Sequence, residues 1–280
     1  MHKRMSCIML SFTIILSCIT SASHATDVAL VTGSDLQVDR LRSGTSTYLV
    51  YMYDSPKSGV KLSHLTTSTI KRNRIEGVDA WIIEQSWIDE SGIVHSAQST
   101  HDPRDMSTLA QTSTWNRQGS NFTTIIDPKS GIGRIEGEVS EARRELIEAG
   151  FASMHENWWF NWHVDLALLP LLPFDEGARL RLRVFDVGMA AQKEIDYTVL
   201  GSRMLIGSDG SSYDCWLIET DSGSPGSGNF QRFWIDKKRH VVVKEEDTFN
   251  GMYRSKILLS VPAVTEFPAS KAPNEATKKE

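Results

Sequence analysis

Asp79-Ala80-Trp81-Ile82-Ile83-Glu84 and Asp214-Cys215-Trp216-Leu217-Ile218-Glu219 are one pattern written twice, 135 residues apart. Each is a run of aromatic and aliphatic residues between two acids, the composition of a half-buried strand. The correspondence continues outward. Asp102 matches Asp236, and Thr114-Trp115-Asn116 matches Thr248-Phe249-Asn250, both at an offset of 134, while Tyr53-Asp54 aligns with Phe185-Asp186 at 132. Four pieces in the same order at nearly constant offset predict two homologous antiparallel meanders.

Within the first half, Tyr48 to Tyr53, Ala80 to Ile88, Ile93 to Thr100, Leu109 to Trp115 and Phe122 to Ile126 read as strands. Asp89-Glu90-Ser91-Gly92, Asn116 to Gly119 and Asp127 to Gly131 supply turns, and connections this short join antiparallel neighbours. Asn250-Gly251 is a strong two-residue hairpin signal; its counterpart, Asn116 followed by Gly119, predicts a longer loop. Each meander has one face to bury and edges to cover, so two copies either pack face to face or curl into one incomplete barrel. The expected fold is mainly β with a helical connector: a duplicated antiparallel meander forming one curved sheet, half-barrel or clam with pseudo-twofold symmetry. The expected divisions are a lead-in at 26–44, copy one at 45–136, an aromatic connector at 137–177, copy two at 178–261, and a tail at 262–280 whose composition predicts disorder.

The connector changes character. From Ser140, strong helix formers place Ala142, Leu146 and Ala149 on one face, and Gly150 ends or weakens the helix. Trp158, Trp159, Phe160 and Trp162 follow, then the apolar run Val164 to Phe174, broken by Pro170 and Pro173. Such a segment is expected to lie across a sheet or to plug the open side of a barrel.

Residues 1–25 read as a secretory signal: basic His2-Lys3-Arg4, an apolar stretch from Ile8 to Leu16, and small residues at Ser23 and Ala25 for cleavage. A rival reading takes Ile15-Leu16-Ser17-Cys18 as a lipobox, anchoring the protein through a lipidated Cys18. The apolar run is too short to span a bilayer, and none later approaches spanning length. Cleavage after Ala25 takes the formal net charge from −5 to −7 and leaves Cys215 as the lone thiol, so stability must come from packing. An acidic chain lacks the dense basic face that nucleic-acid binding needs. Apolar content of 40% against 23% charged residues is enough for a sizeable core.

The second half carries a further signature: Asp165 to Leu171 ending in Pro-Leu, Leu180 to Phe185, Tyr197-Thr198-Val199-Leu200-Gly201, Gly210 before Tyr213-Asp214-Cys215, Phe233-Trp234-Ile235-Asp236 with a basic turn, and a last hairpin carrying Gly251. Over about Asp165 to Leu259 this resembles a family of secreted bacterial proteins of unknown function. Their layout is similar to that of lipoprotein-carrier envelope proteins, a curved antiparallel sheet closed by helices around an apolar interior. The Gly- and Ser-rich loop Ser222 to Asn229 departs from that pattern. The resemblance implies an envelope protein of β-clam type and implies no reaction.

Chemistry-bearing residues divide between packing and function. Trp81 and Trp216 occupy equivalent positions and serve as core anchors or line a shared apolar cavity. Neighbouring rings at Trp158, Trp159, Phe160 and Trp162 cannot all face inward from one helix, so at least one is expected at solvent, a partner or a ligand, unless a loop buries them all. His155, Glu156, His163 and Asp165 flank that cluster, but roughly 12 Å separates the two histidines on a helix, too far for one metal unless the chain folds back. His101, Asp102 and Asp105 read as turn residues, Cys215 as a small buried filler opposite Ala80, and Arg143-Arg144 and Lys237-Lys238-Arg239 as solvated positions. No nucleophile elbow, phosphate loop or His-Glu-x-x-His motif is present, so no enzyme, cofactor or metal is expected.

The expectation is an exported periplasmic protein that shelters an apolar ligand, a lipid or acyl chain, between its modules. Trp158, Trp159 and Trp162 are the first contact candidates, and Trp81 and Trp216 the second. The alternative is a structural module of the envelope with a solid interior and a protein partner. Neither spans a membrane or binds nucleic acid.

Overall fold

The computed structural model describes residues 27–260 except 56, 76, 118–119, 155–156, 208–209, 221–228 and 250. The leader, Cys18, His155, Glu156, most of the Ser222 to Asn229 loop and the tail lie outside the described residues.

In chain order the strands are β1 (Val28–Val31), β2 (Gly44–Tyr53), β3 (Leu62–Ile75), β4 (Val78–Asp89), β5 (Gly92–His101), β6 (Thr108–Arg117), β7 (Ser120–Asp127) and β8 (Ile132–Glu138). After helix α1 (Glu141–Ala152) come β9 (Phe160–Asn161), helix α2 (Asp165–Leu168), β10 (Arg179–Phe185), β11 (Lys193–Ile206), β12 (Ser212–Thr220), β13 (Gln231–Asp236), β14 (Val241–Phe249) and β15 (Met252–Ser260). They form one sheet in the order β1, β10 to β15, then β2 to β8, with β9 beside β10. Pairing is antiparallel except where β1 and β9 meet β10. The two sequence blocks therefore lie side by side, joined where β15 pairs with β2, and do not face one another as separate sheets. The result is one curved sheet, unclosed between its edge strands β1 and β8.

Alternation sets the inner face. Tyr48, Val50 and Met52 are buried on β2 while their neighbours are partly exposed, the period-2 pattern of a one-sided sheet. On the outer face, Arg181 pairs with Asp196 across β10 and β11 at 2.6 Å, and hydroxyl pairs such as Thr67 with Ser86 (2.6 Å) bridge neighbouring strands. Strand β3 escapes the sequence reading because its inward residues, Thr66 and Ser68, are polar, so hydrophobic alternation is silent there. The hairpin between β6 and β7 is also tighter than expected. Its strands stay paired as far as Arg117 and Ser120, as β14 and β15 do as far as Phe249 and Met252. Gly251 takes a φ of 75°, the left-handed conformation that such a turn requires.

Helix α1 continues through Gly150 and buries Ile147, Gly150 and Phe151; the expected Ala142, Leu146, Ala149 face is wrong, with Leu146 42% exposed. Close approach decides the face. A Cβ on Gly150 would sit 2.1 Å from the Met189 carbonyl oxygen, and one on Gly133 would sit 2.1 Å from the Phe151 ring. The rest of the connector enters the concave side as a plug. Leu166, Leu168, Leu169, Leu171 and Leu172 are buried against Tyr48, Ile83, Leu182, Val199, Ile218 and Phe233. Full burial of each leucine contributes about 1.5–3 kcal/mol. Pro170 does not disrupt this run, because it occupies the first turn of a 3-10 segment, where no intrahelical donor is needed.

Candidate ligand-binding site

Beside the leucine plug, the concave face leaves a cavity of about 1020 Å³. Its walls differ in character because they come from different strands. One is aromatic. Trp87 of β4, His95 of β5, Trp115 of β6 and Phe122 of β7 are directly opposite one another in successive strand pairs, so their side chains form a row across the inner face. Trp87 and Trp115 meet edge to face at 5.5 Å, and the His95 ring lies 3.9 Å from Trp115. The guanidinium of Arg143 on α1 lies over Trp115 and Phe122, 5.9 and 5.3 Å from the ring centres. Arg143 is solvent-exposed on α1, as expected of a helix surface position, and it also lines the cavity.

The other wall is ionic. Asp247 on β14 faces Arg254 on β15 in register, and Glu245 faces Lys256. Arg254 binds both oxygens of Asp247 and reaches Glu245 at 3.2 Å. Lys256 contacts Glu245 at 2.5 Å and Asp165, from α2, at 3.9 Å. Gln231 donates to Glu245 at 3.3 Å and accepts from the Tyr197 hydroxyl at 3.0 Å. Burial drives the carboxyls of Asp165 and Asp247 up to about 6, against the pull of Lys256 and Arg254 respectively. For Glu245 burial is the largest influence, but Lys256 and Arg254 together outweigh it and hold its carboxyl below the ordinary value. The Thr66 hydroxyl, on the cavity wall in β3, is buried without a hydrogen-bond partner.

The connector forms the floor with Trp162, His163 and Asp165, joined by Asp186 just beyond β10. His163 Nδ1 lies 2.6 Å from Asp186 Oδ1, and its Nε2 lies 2.6 Å from His95 Nε2. Among the described residues no group of three or more His, Cys, Asp or Glu side chains converges as a metal site.

Of the five tryptophans selected from sequence, Trp162 lines the cavity. Trp158 packs against the main core and donates to the Asp105 carbonyl, while Trp159 is buried against Phe185 at 5.2 Å and donates to the Met154 carbonyl. Trp81 is buried in the core, and Trp216 packs at its margin under the Lys237 ammonium, 4.4 Å from the ring centre. His101 is buried between Ser99 and the Met106 carbonyl, while Asp102 and Asp105 hold the adjoining turn. Cys215 is buried, and desolvation followed by Asp236 and Asp214 pushes its thiol up to about 12.

The sequence reading missed Trp87, Trp115 and the ionic wall. Parity narrows the search without selecting the cavity residues. Trp81, Ile83, Gln85 and Trp87 share one face of β4, and a two-residue turn at 250–251 places Asp247 opposite Arg254 and Glu245 opposite Lys256.

A match to a known family covers residues 47–257, three quarters of the chain and the whole cavity wall from β2 to β15. The chain belongs to the DUF3108 family. That family is described as one of unknown function, in keeping with the resemblance carried by the second block, and it indicates no reaction. Among curated proteins no relative matches. Solved structures similar to this DUF3108 chain include a β-barrel-like DUF1849 protein from Brucella abortus, with 10% identity, 81% of this chain and 99% of the other covered, and a TM-score of 0.41. The hypothetical lipoprotein YmcC from Escherichia coli has 12% identity, coverage of 84% and 90%, and a TM-score of 0.26. A domain described as an outer membrane lipoprotein-sorting protein from Vibrio parahaemolyticus has 12% identity, coverage of 80% and 87%, and a TM-score of 0.23. Among the described residues no helix is long and apolar enough to cross a membrane.

Proposed function

We propose that this DUF3108 protein is exported to the bacterial envelope and holds a lipid or other long-chain ligand within its unclosed barrel. The observation that carries the reading is the cavity of about 1020 Å³ with an aromatic wall of Trp87, Trp115 and Phe122. Its size suits a lipid-sized guest. Burial supplies the affinity: each methylene moved from water onto such a wall contributes about 0.8 kcal/mol. Trp162, from the connector, closes over the chain from the floor. Export rests on the leader-like residues 1–25.

The ionic wall refines the expected ligand. A wholly apolar guest would strip water from the paired charges of Asp165, Asp247 and Arg254 and offer no polar contact in return, whereas an amphipathic one suits both walls. Native-state extraction of protein purified from its envelope, followed by mass spectrometry, tests the reading. A co-purifying amphiphile is the expected result. Repeated recovery of empty protein that also fails to bind long-chain probes would overturn it.

A further inference from the structure

The ionic cluster, two of whose carboxylates line the cavity while Glu245 is buried among them, holds more acid than base. Asp165, Glu245 and Asp247 share two cations, Arg254 and Lys256. Glu245 engages both, Asp247 takes Arg254, and Asp165 is left with Lys256 at 3.9 Å, the outer limit of an ion pair. One positive charge more would balance the group. On the wall of the same cavity, in β3, Thr66 is 1% exposed and its hydroxyl has no hydrogen-bond partner. A buried hydroxyl in that state is costly, and it can accept a hydrogen bond from an N–H donor.

Resting on the reading of the cavity as a long-chain binding site, we propose that its ligand enters polar end first and that this end is an amine. The ammonium is received by the carboxylates of Asp165 and Asp247, and its apolar chain runs back along Trp87 and Trp115. The orientation follows from desolvation: a hydrocarbon end pushed against the ionic cluster would strip water from buried charges and return nothing. The sign follows from occupancy. Both cations of the cluster are already bound by carboxylates, so an anionic head would add a fourth negative charge beside three. Burial pushes the carboxyls of Asp165 and Asp247 up to about 6 in spite of the pull of Lys256 and Arg254, and a further cation would act with that pull. An anionic amphiphile would have to reverse, placing its head at Arg143 beside Trp115.

The test compares dodecylamine, dodecanol and dodecanoate, matched in chain and different in head, by calorimetric titration into the purified protein near neutral pH. Dodecylamine is expected to bind at least about tenfold more tightly than dodecanoate, with dodecanol between them. In Asp165→Asn the amine should fall to the level of the alcohol. Equal or tighter binding of dodecanoate overturns the amine assignment while leaving the cavity reading intact; failure of all three to bind overturns both. If Asp165→Asn does not fold, Thr66→Val decides, since it breaks no hydrogen bond within the protein. The amine-to-alcohol preference should shrink about threefold there, and an unchanged preference overturns the proposal.

Discussion

His163 Nε2 lies 2.6 Å from His95 Nε2, two ring nitrogens in direct hydrogen bond across the floor of the cavity. One of them must donate. His95 Nδ1 faces the Thr114 carbonyl at 3.0 Å and carries its hydrogen there, which leaves His95 Nε2 as the acceptor and His163 Nε2 as the donor. His163 Nδ1 in turn faces the Asp186 carboxylate at 2.6 Å. The chain ties the connector to β5 and reaches the Thr114 carbonyl of β6.

Removing Asp186 should therefore damage structure more than surface position suggests. Asp186→Asn is expected to lower stability by about 2 kcal/mol, because the buried imidazole loses a charge-assisted partner. Urea unfolding of the variant checks this, and nitrogen NMR should show the His163 signals shifting while His95 keeps its Nδ1 hydrogen. Unchanged stability would mean that the chain does not hold the connector.

Thr66→Val is expected to stabilise the protein by about 1 kcal/mol, the reverse of most buried substitutions. The hydroxyl it removes has no partner, and valine fills the same volume. A lower unfolding midpoint would show that the hydroxyl is satisfied in solution.

Two tryptophans on one strand should separate stability from binding. Trp81→Ala, in the core, is expected to cost about 3–5 kcal/mol. Trp87→Ala, six residues on at the cavity wall, should cost less than half as much and weaken dodecanol binding about tenfold. Thermal unfolding and titration on both variants make the comparison, and equal effects on both readouts would contradict the division of β4 into core and wall.

Burial pushes the His101 imidazole down to about 4 from 6.5. The folded protein thus refuses a proton that the unfolded chain accepts, and stability held above pH 6.5 is lost as pH falls towards about 4, up to about 3 kcal/mol. Asp165 and Asp247 act in the opposite sense. Their carboxyls, raised to about 6, make the folded state the better proton binder from there down to 3.8, so their share of stability grows as pH falls through that window. Replacing His101 with Gln removes only the first effect, and its stability relative to wild type should rise steadily on acidification from neutral. Parallel profiles would show that His101 is not the acid-sensitive group.

Gly150→Ala sets helix propensity against close packing. Alanine favours an isolated helix by about 1 kcal/mol, yet its Cβ would meet the Met189 carbonyl oxygen at 2.1 Å. Net destabilisation of about 2 kcal/mol is expected in chemical unfolding, since backbone stands in the way and cannot rotate aside. A more stable variant would show that α1 is free to shift from the Met189 backbone.

The β architecture was legible because strand chemistry is local. The repeated Trp81 and Trp216 segments, the turn residues and the Asn250-Gly251 pair announce antiparallel strands without reference to anything distant. The leucine-rich run after Trp162 likewise announces a buried connector. Strand β3 was not legible, because its inward Thr66 and Ser68 are polar and break the hydrophobic alternation. Nor was the buried face of α1, which depends on Gly150 and Gly133 meeting partners on other elements.

By itself, then, the chain's order of residues determined strand content, turn positions and the burial of its connector, all governed by neighbours within a few residues. Tertiary structure alone decided that β15 closes onto β2 in one sheet, that Trp87 rather than Trp81 reaches the cavity, and that His163 of the connector meets His95 of β5, 68 residues away. Those outcomes depend on register and on which strand ends face the plug, and registers between distant segments are set by the summed burial of whole faces.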